Sequence, residues 1–261
     1  MAFVVDLGVS MHARLSQVLA HLGFPEQARA HTEAALARAG ALGQPYAQML
    51  ALFYAAVVEI RLGHPEQVRG LAERMHEMVA DHAFSQGEGL WRWLHGWVLT
   101  QRGEPDDGHA LIMAGYEHHV DQSMLSGAAS VLGYAAEARA AAGRWSEAQA
   151  ELDRALALAQ RIGERIFLPE LMLVQGRVAL GKGEAAAARD SIRAALAEAR
   201  SQQALWLELS ALVALCELDG VMLDDLDALA EARARLSEGF DAELVIRADA
   251  LLGANGRATR P

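Results

Sequence analysis

The groups in this chain best suited to chemistry are its ten histidines and its paired carboxylates. His118, His119 and Asp121 form the densest knot, with His76 and His82 next. A metal ion needs ligands converging on one point, whereas adjacent residues on a helix point about 100° apart. Neither an H-E-x-x-H nor a C-x-x-C spacing occurs, so these read as surface or groove histidines and no metal site is expected. The stretch "GKGEAA", beginning at Gly181, echoes a phosphate loop. It lacks the G-x-x-x-x-G-K-[ST] pattern and no strand precedes it, so it reads as a turn between helices. No G-x-S-x-G nucleophile elbow is present. Asp106–Asp107 and Asp224–Asp225 fall at helix starts, where acidic side chains answer the positive end of the helix dipole. Catalytic residues, cofactor sites and enzymatic activity are therefore not expected.

One stretch remains unabsorbed: "LWRWLHGW", Leu90 to Trp97. Aromatic residues and arginine are the types that dominate binding hot spots. The competing reading is core, because long helices need bulky packing. Trp93 and Trp97 stay open between the two readings, while Trp91, Trp145 and Trp206 read as core. Settling this requires the elements that carry them.

Composition names those elements. Hydrophobic residues make up 52% of 261 positions but aromatics only 6%, and alanine and leucine dominate. That suits close-packed helices, since alanine has the best helix propensity and lets axes approach. A formal net charge of −11 argues against nucleic acid, whose phosphates demand clustered Lys and Arg, and against an anionic membrane surface. The longest apolar run, Met49 to Val58, is about half a membrane span. The first residues lack a basic region and include Asp6, so no signal peptide is expected. Cys216, the single cysteine, allows no intrachain disulfide. A reduced, cytoplasmic setting and a core position for Cys216 are the expectations.

The order of the elements follows from a repeat. "LGFPEQA" at Leu22–Ala28 returns as "LGHPEQV" at Leu62–Val68. Extending that step gives Gly23, Gly63, Gly103, Gly143 and Gly183, a lattice of 40 residues. Seven residues before each glycine stand Ser16, Ala56, Gly96, Ala136 and Gly176. Five after stand Ala28, Val68, Gly108, Ala148 and Ala188; twelve after stand Ala35, Met75, Gly115, Ala155 and Ala195. Small side chains recurring in fixed columns mark where two antiparallel helices cross closely. Pro25, Pro65 and Pro105 then open the second helix of a pair, where a missing N–H costs nothing. The spacing predicts pairs at 8–22/24–39, 45–62/64–81, 87–102/104–120, 124–142/145–162 and 166–181/184–201. A degenerate unit (203–218, 224–236) and a closing helix (241–252) follow. Residues 1–252 are thus expected to form one repeat domain and 253–261 a disordered tail. Terminal units, facing water on one side, are expected to be atypical.

The small–Gly–small columns resemble the tetratricopeptide repeat, seen best in Gly96, Gly103, Gly108 and Gly115 and again in Ala136, Gly143, Ala148 and Ala155. The period is longer than the usual 34 residues. That longer form resembles the C-terminal helical region of bacterial class III adenylate or guanylate cyclase and STAND-ATPase signalling regulators. The matching stretches are "DLGVSMHARLSQVLAHLGFPEQARAHTEAALARA", "GWVLTQRGEP", "AQAELDRALALAQRIGERIFLPELMLVQGRVAL" and "SEGFDAELVIRADALL". The resemblance implies an all-α, right-handed superhelical solenoid of antiparallel helix pairs. It also implies a sensor or scaffold role, either as a fragment of such a regulator or as a stand-alone protein. The cyclase, ATPase and DNA-binding parts have no counterpart here, so no catalytic residue carries over.

In repeats of this type the first helix of each pair lines the concave side. The register then places Phe53, Val57 and Arg61, with Leu90, Trp93 and Trp97, along a groove. Glu137 and Arg177 join Arg61 as its charged rim. An apolar, aromatic strip with such a rim suits an amphipathic helix or extended peptide. The expected function is a non-catalytic protein- or peptide-interaction scaffold without nucleic acid or membrane as partner. A small-molecule effector sensor and a self-assembly module forming homo-oligomers are the alternatives.

Overall fold

The computed structural model describes residues 6–82, 84–218, 220 and 222–256. Each of the five lattice glycines follows a helix end in the left-handed region, with φ between 72° at Gly143 and 90° at Gly23. Glycine alone adopts that conformation without a Cβ penalty. Proline in the first turn then restarts the chain, as at α2, α4 and α6.

Five antiparallel pairs result: α1 (Leu7–Leu22) with α2 (Pro25–Ala41), α3 (Pro45–Leu62) with α4 (Pro65–His82), and α5 (Ser85–Gln101) with α6 (Pro105–Asp121). Then follow α7 (Ala128–Ala141) with α8 (Trp145–Ile162), and α9 (Leu168–Gly181) with α10 (Ala185–Ser201). A sixth unit holds α11 (Leu205–Cys216) and α12 (Leu223–Ala234), and α13 (Glu243–Ala254) closes the array. No strand occurs among the described residues. Consecutive units stack into a right-handed superhelical solenoid with the odd-numbered helices inside.

Three inner helices are shorter than the periodicity predicts, α11 by two residues at each end. α7 begins at Ala128 because Ser123 and Gly127 both take positive φ, which no α-helix admits. α9 begins at Leu168, after a tight turn in which the Leu168 N–H donates to the Arg165 carbonyl. At the other end α13 runs two residues past 252 to Ala254, and the tail expected from there falls outside the described residues beyond 256.

The small columns sit where the paired helices touch. Ser16, Ala56, Ala136, Ala28, Val68, Ala148 and Ala188 are all fully buried. The tightest pair is α5–α6: a Cβ built on Gly96 would lie 2.5 Å from the Gly108 carbonyl oxygen, and one on Gly115 2.6 Å from that of Gly89. Glycine is required there because backbone meets backbone. Cys216 is buried in the α11–α13 core.

The last unit departs from expectation. It folds back onto the first, so its inner side is covered by protein. Leu205 and Leu236 pack on the Gly23 turn, and Gly239 packs against Pro25. The Gly239 N–H donates to Glu26 Oε1 (3.2 Å), and Trp206 Nε1 donates to the Arg61 carbonyl (3.2 Å). Core residues Ala20, Ala28, Val58 and Leu62 join the α11–α13 cluster, so superhelical curvature brings the two ends of the array together. α1 keeps an exposed apolar stripe at Leu7, Met11, Leu15 and Val18.

Candidate ligand-binding lumen

Closure turns the concave side into a lumen with two chambers, of about 460 and 180 Å³. Inner helices supply most of the walls, because each presents one face to the superhelix axis. Arg61, Ser130, Tyr134 and Phe167 line both chambers and form the partition. Phe53, Val57, Leu90 and Trp93 line the smaller chamber, and Trp97, Glu137 and Arg177 the larger. The sequence-derived residues therefore do not share one continuous groove; they divide between two compartments.

The aromatic side chains are walls rather than protrusions. Trp93 is 3% exposed and Trp97 6%. Trp93 meets Phe53 edge-on (5.7 Å between ring centres) and stacks on Tyr134 (5.5 Å), so it is both core and lining. Trp206 is buried and also faces the larger chamber. Trp145 is half-buried and covers Gly181. Trp91 sits at the edge of the core, partly buried against its residues and stacked between His76 and His95.

The charged rim needs correction as well. The Arg61 side chain is only 3% exposed, because the closing unit covers it. Its Nη1 lies 2.6 Å from Glu170 Oε1, an ion contact made off the hydrogen-bonding direction. Neither Nε nor Nη1 of Arg61 has a hydrogen-bond acceptor among the described residues. Arg177 and Glu137 pair with each other at 2.9 Å. On the far wall Arg247 grips Glu217 through three hydrogen bonds of 2.6–3.0 Å.

Neutral polar groups complete the site. Burial raises the Tyr134 hydroxyl far above its ordinary range, so it remains an O–H. His119, buried with Nδ1 unpartnered, is shifted down by burial and then by His118. His21, beside the Arg61 charge, is pushed down to about 3, by burial first. Its ring donates to the Gln17 carbonyl (2.8 Å) and stays neutral at pH 7. Among the described residues no three His, Cys, Asp or Glu side chains group as metal ligands. No helix is long and apolar enough to cross a membrane.

Sequence reasoning missed Arg14, Tyr134, Glu217 and Arg247. Arg14 lies in the first unit, where the repeat register gave no aromatic cue. The last two reach the lumen only because the ends meet.

No protein-family model matches the sequence, and the search of curated proteins gives no match. Among solved structures, the crystal structure of the apo form of RapI resembles this chain with a TM-score of 0.59. The match covers 96% of this chain and 87% of that one, at 11% sequence identity. The fold is a tetratricopeptide-like helical repeat. Identity that low speaks for the fold alone.

Proposed function

We propose that this chain is a non-catalytic binding module that takes a short extended peptide into its lumen. The carrying observation is the larger chamber, about 460 Å³, lined by aromatic and apolar side chains with a few fixed ion pairs. That size and lining are typical of ligand sites rather than packing defects. Closure by α11–α13 favours a short or compact occupant over a long amphipathic helix, which would need an open groove. The solved structure of RapI is an apo form, and the shared fold supports a binding role here.

The chamber size equally favours the second reading, a small-molecule effector sensor. The resemblance to cyclase- and STAND-ATPase-linked regulators supports a sensor or regulatory role in either case, and the single cysteine supports a cytoplasmic one. Self-assembly rests on the exposed α1 stripe and is checked by light scattering over a range of concentrations: a strict monomer excludes it.

The test fills the chamber. Leu173 on α9 is half-buried and lines it, so Leu173→Trp occupies space without adding charge. Tetrapeptide mixtures are titrated against both proteins, with tryptophan emission and calorimetry as readouts. Binding that weakens at least tenfold, with unchanged circular dichroism, supports the lumen. Equal binding by the plugged variant places the ligand elsewhere.

A further inference from the structure

We propose that the smaller chamber is an anion-selective subsite for an apolar group bearing a carboxylate. This deepens the lumen reading and rests on it. The charges divide unevenly between the two chambers. The smaller one is faced by Arg14 and Arg61, and Glu164 is its one lining carboxylate among the described residues. Glu164 is already engaged: both its oxygens accept the Gly127 N–H (3.0 and 3.1 Å), and Oε1 also accepts the Ser126 hydroxyl (3.3 Å). Arg14 lies over the Tyr54 ring (5.6 Å) and has no acidic partner among the described residues. The counter-ion of Arg61, Glu170, lines the larger chamber and not this one.

The larger chamber has the opposite bias. Apart from the shared Arg61, its cations Arg177 and Arg247 are matched by Glu137 and Glu217, while Glu170 faces it from the far side of Arg61. Glu243 is left over, without a basic partner among the described residues. A ligand with one anionic end therefore meets a directed field along the lumen, with the anion drawn to the Arg14–Arg61 side.

Arg61 supplies the second, independent observation. It is a cation 97% buried in its side chain; its Nε has no acceptor among the described residues, and its Nη1 meets Glu170 only off the hydrogen-bonding direction. A buried donor without an acceptor is costly to leave unmet, and a carboxylate is its strongest acceptor. Phe53, Leu90, Trp93 and Phe167 supply apolar wall, interrupted by the uncharged polar side chains of Gln17, Ser126 and Ser130, and about 180 Å³ holds a group the size of one residue. A peptide's C-terminal residue and a free small acid share this chemistry.

The full chain is titrated calorimetrically at low salt with four probes. Two are leucine-terminated tetrapeptide mixtures, as free acid and as C-terminal amide; two are N-acetyl-leucine and its amide. The free acids are expected to bind at least tenfold tighter than the matching amides. Arg14 is exposed, so Arg14→Gln leaves the fold intact and is expected to erase that ratio, while Arg14→Lys retains most of it. A preference confined to the tetrapeptides identifies a peptide C-terminus; one shared by N-acetyl-leucine identifies a small acid. Both support the subsite. Equal binding of acid and amide overturns the subsite while leaving the lumen reading standing, as does a ratio untouched by Arg14→Gln. No binding by any probe overturns both.

Discussion

Alanine at Gly96 and alanine at Gly70 should move stability in opposite directions, although both replace a glycine inside a helix. At Gly70 in α4 nothing lies within 4 Å of the new Cβ. The substitution there gains only helix propensity, about 1 kcal/mol. At Gly96 the same gain is set against contacts of 2.5 Å to the Gly108 carbonyl oxygen and 2.9 Å to the Ile112 nitrogen, where ordinary contact begins at 3.4 Å. Both obstacles are backbone, so no side chain can swing aside. The α5–α6 pair must spread by most of an ångström, and overpacking of this kind costs about 1–3 kcal/mol or more. With both obstacles rigid the upper part of that range, about 2–3 kcal/mol, applies, so the net expectation is a loss of about 1–2 kcal/mol for Gly96→Ala, leaving the two variants about 2–3 kcal/mol apart. Urea unfolding followed by circular dichroism, with m unchanged, measures this. The spread also displaces Leu90, Trp93 and Trp97 on α5, so tryptophan emission should shift in Gly96→Ala and not in Gly70→Ala. If Gly96→Ala is stabilised as much as Gly70→Ala, the close crossing of α5 and α6 is refuted.

Two further outcomes follow from the groups buried beside Arg61. His21 titrates at about 3 in the folded chain against 6.5 when free, so between those values the unfolded state binds the extra proton. Stability is full above pH 6.5 and falls as pH drops below it, by about 1.4 kcal/mol per unit for this one group. His21→Gln should flatten that slope between pH 6.5 and 5 in urea titrations; an unaltered slope refutes the burial of a neutral imidazole. Glu170→Gln strands the buried Arg61 cation and should cost about 3 kcal/mol, the low end for a broken buried pair because Glu170 is 25% exposed. Adding Arg61→Met should recover much of that loss in a double-mutant cycle, and additive losses would mean the two groups do not interact.

Local chemistry decided much of this protein in advance. Five glycines on a 40-residue lattice, prolines two residues later and small residues in fixed columns are dictated by backbone geometry within a single repeat, so they are readable from the chain itself. They located the helix pairs to within a few residues. The resemblance to tetratricopeptide repeats, rather than the lattice, put the first helix of each pair on the concave side, and it left Trp93 and Trp97 open between core and groove. What a repeat cannot state is how far the superhelix turns, since that angle is the sum of small rotations at every interface. Closure of the sixth unit on the first is such a sum. It converted Arg61 from a rim charge into a buried partition held by Glu170 and by Trp206, split one groove into two chambers, and brought Arg247 and Glu217 to the lumen from the far end of the chain. Even "LGFPEQA" changes meaning: all its copies are joints between helices, but only the first meets the C-terminal unit, at Gly23, Pro25 and Glu26, because only there does the array return to its own beginning.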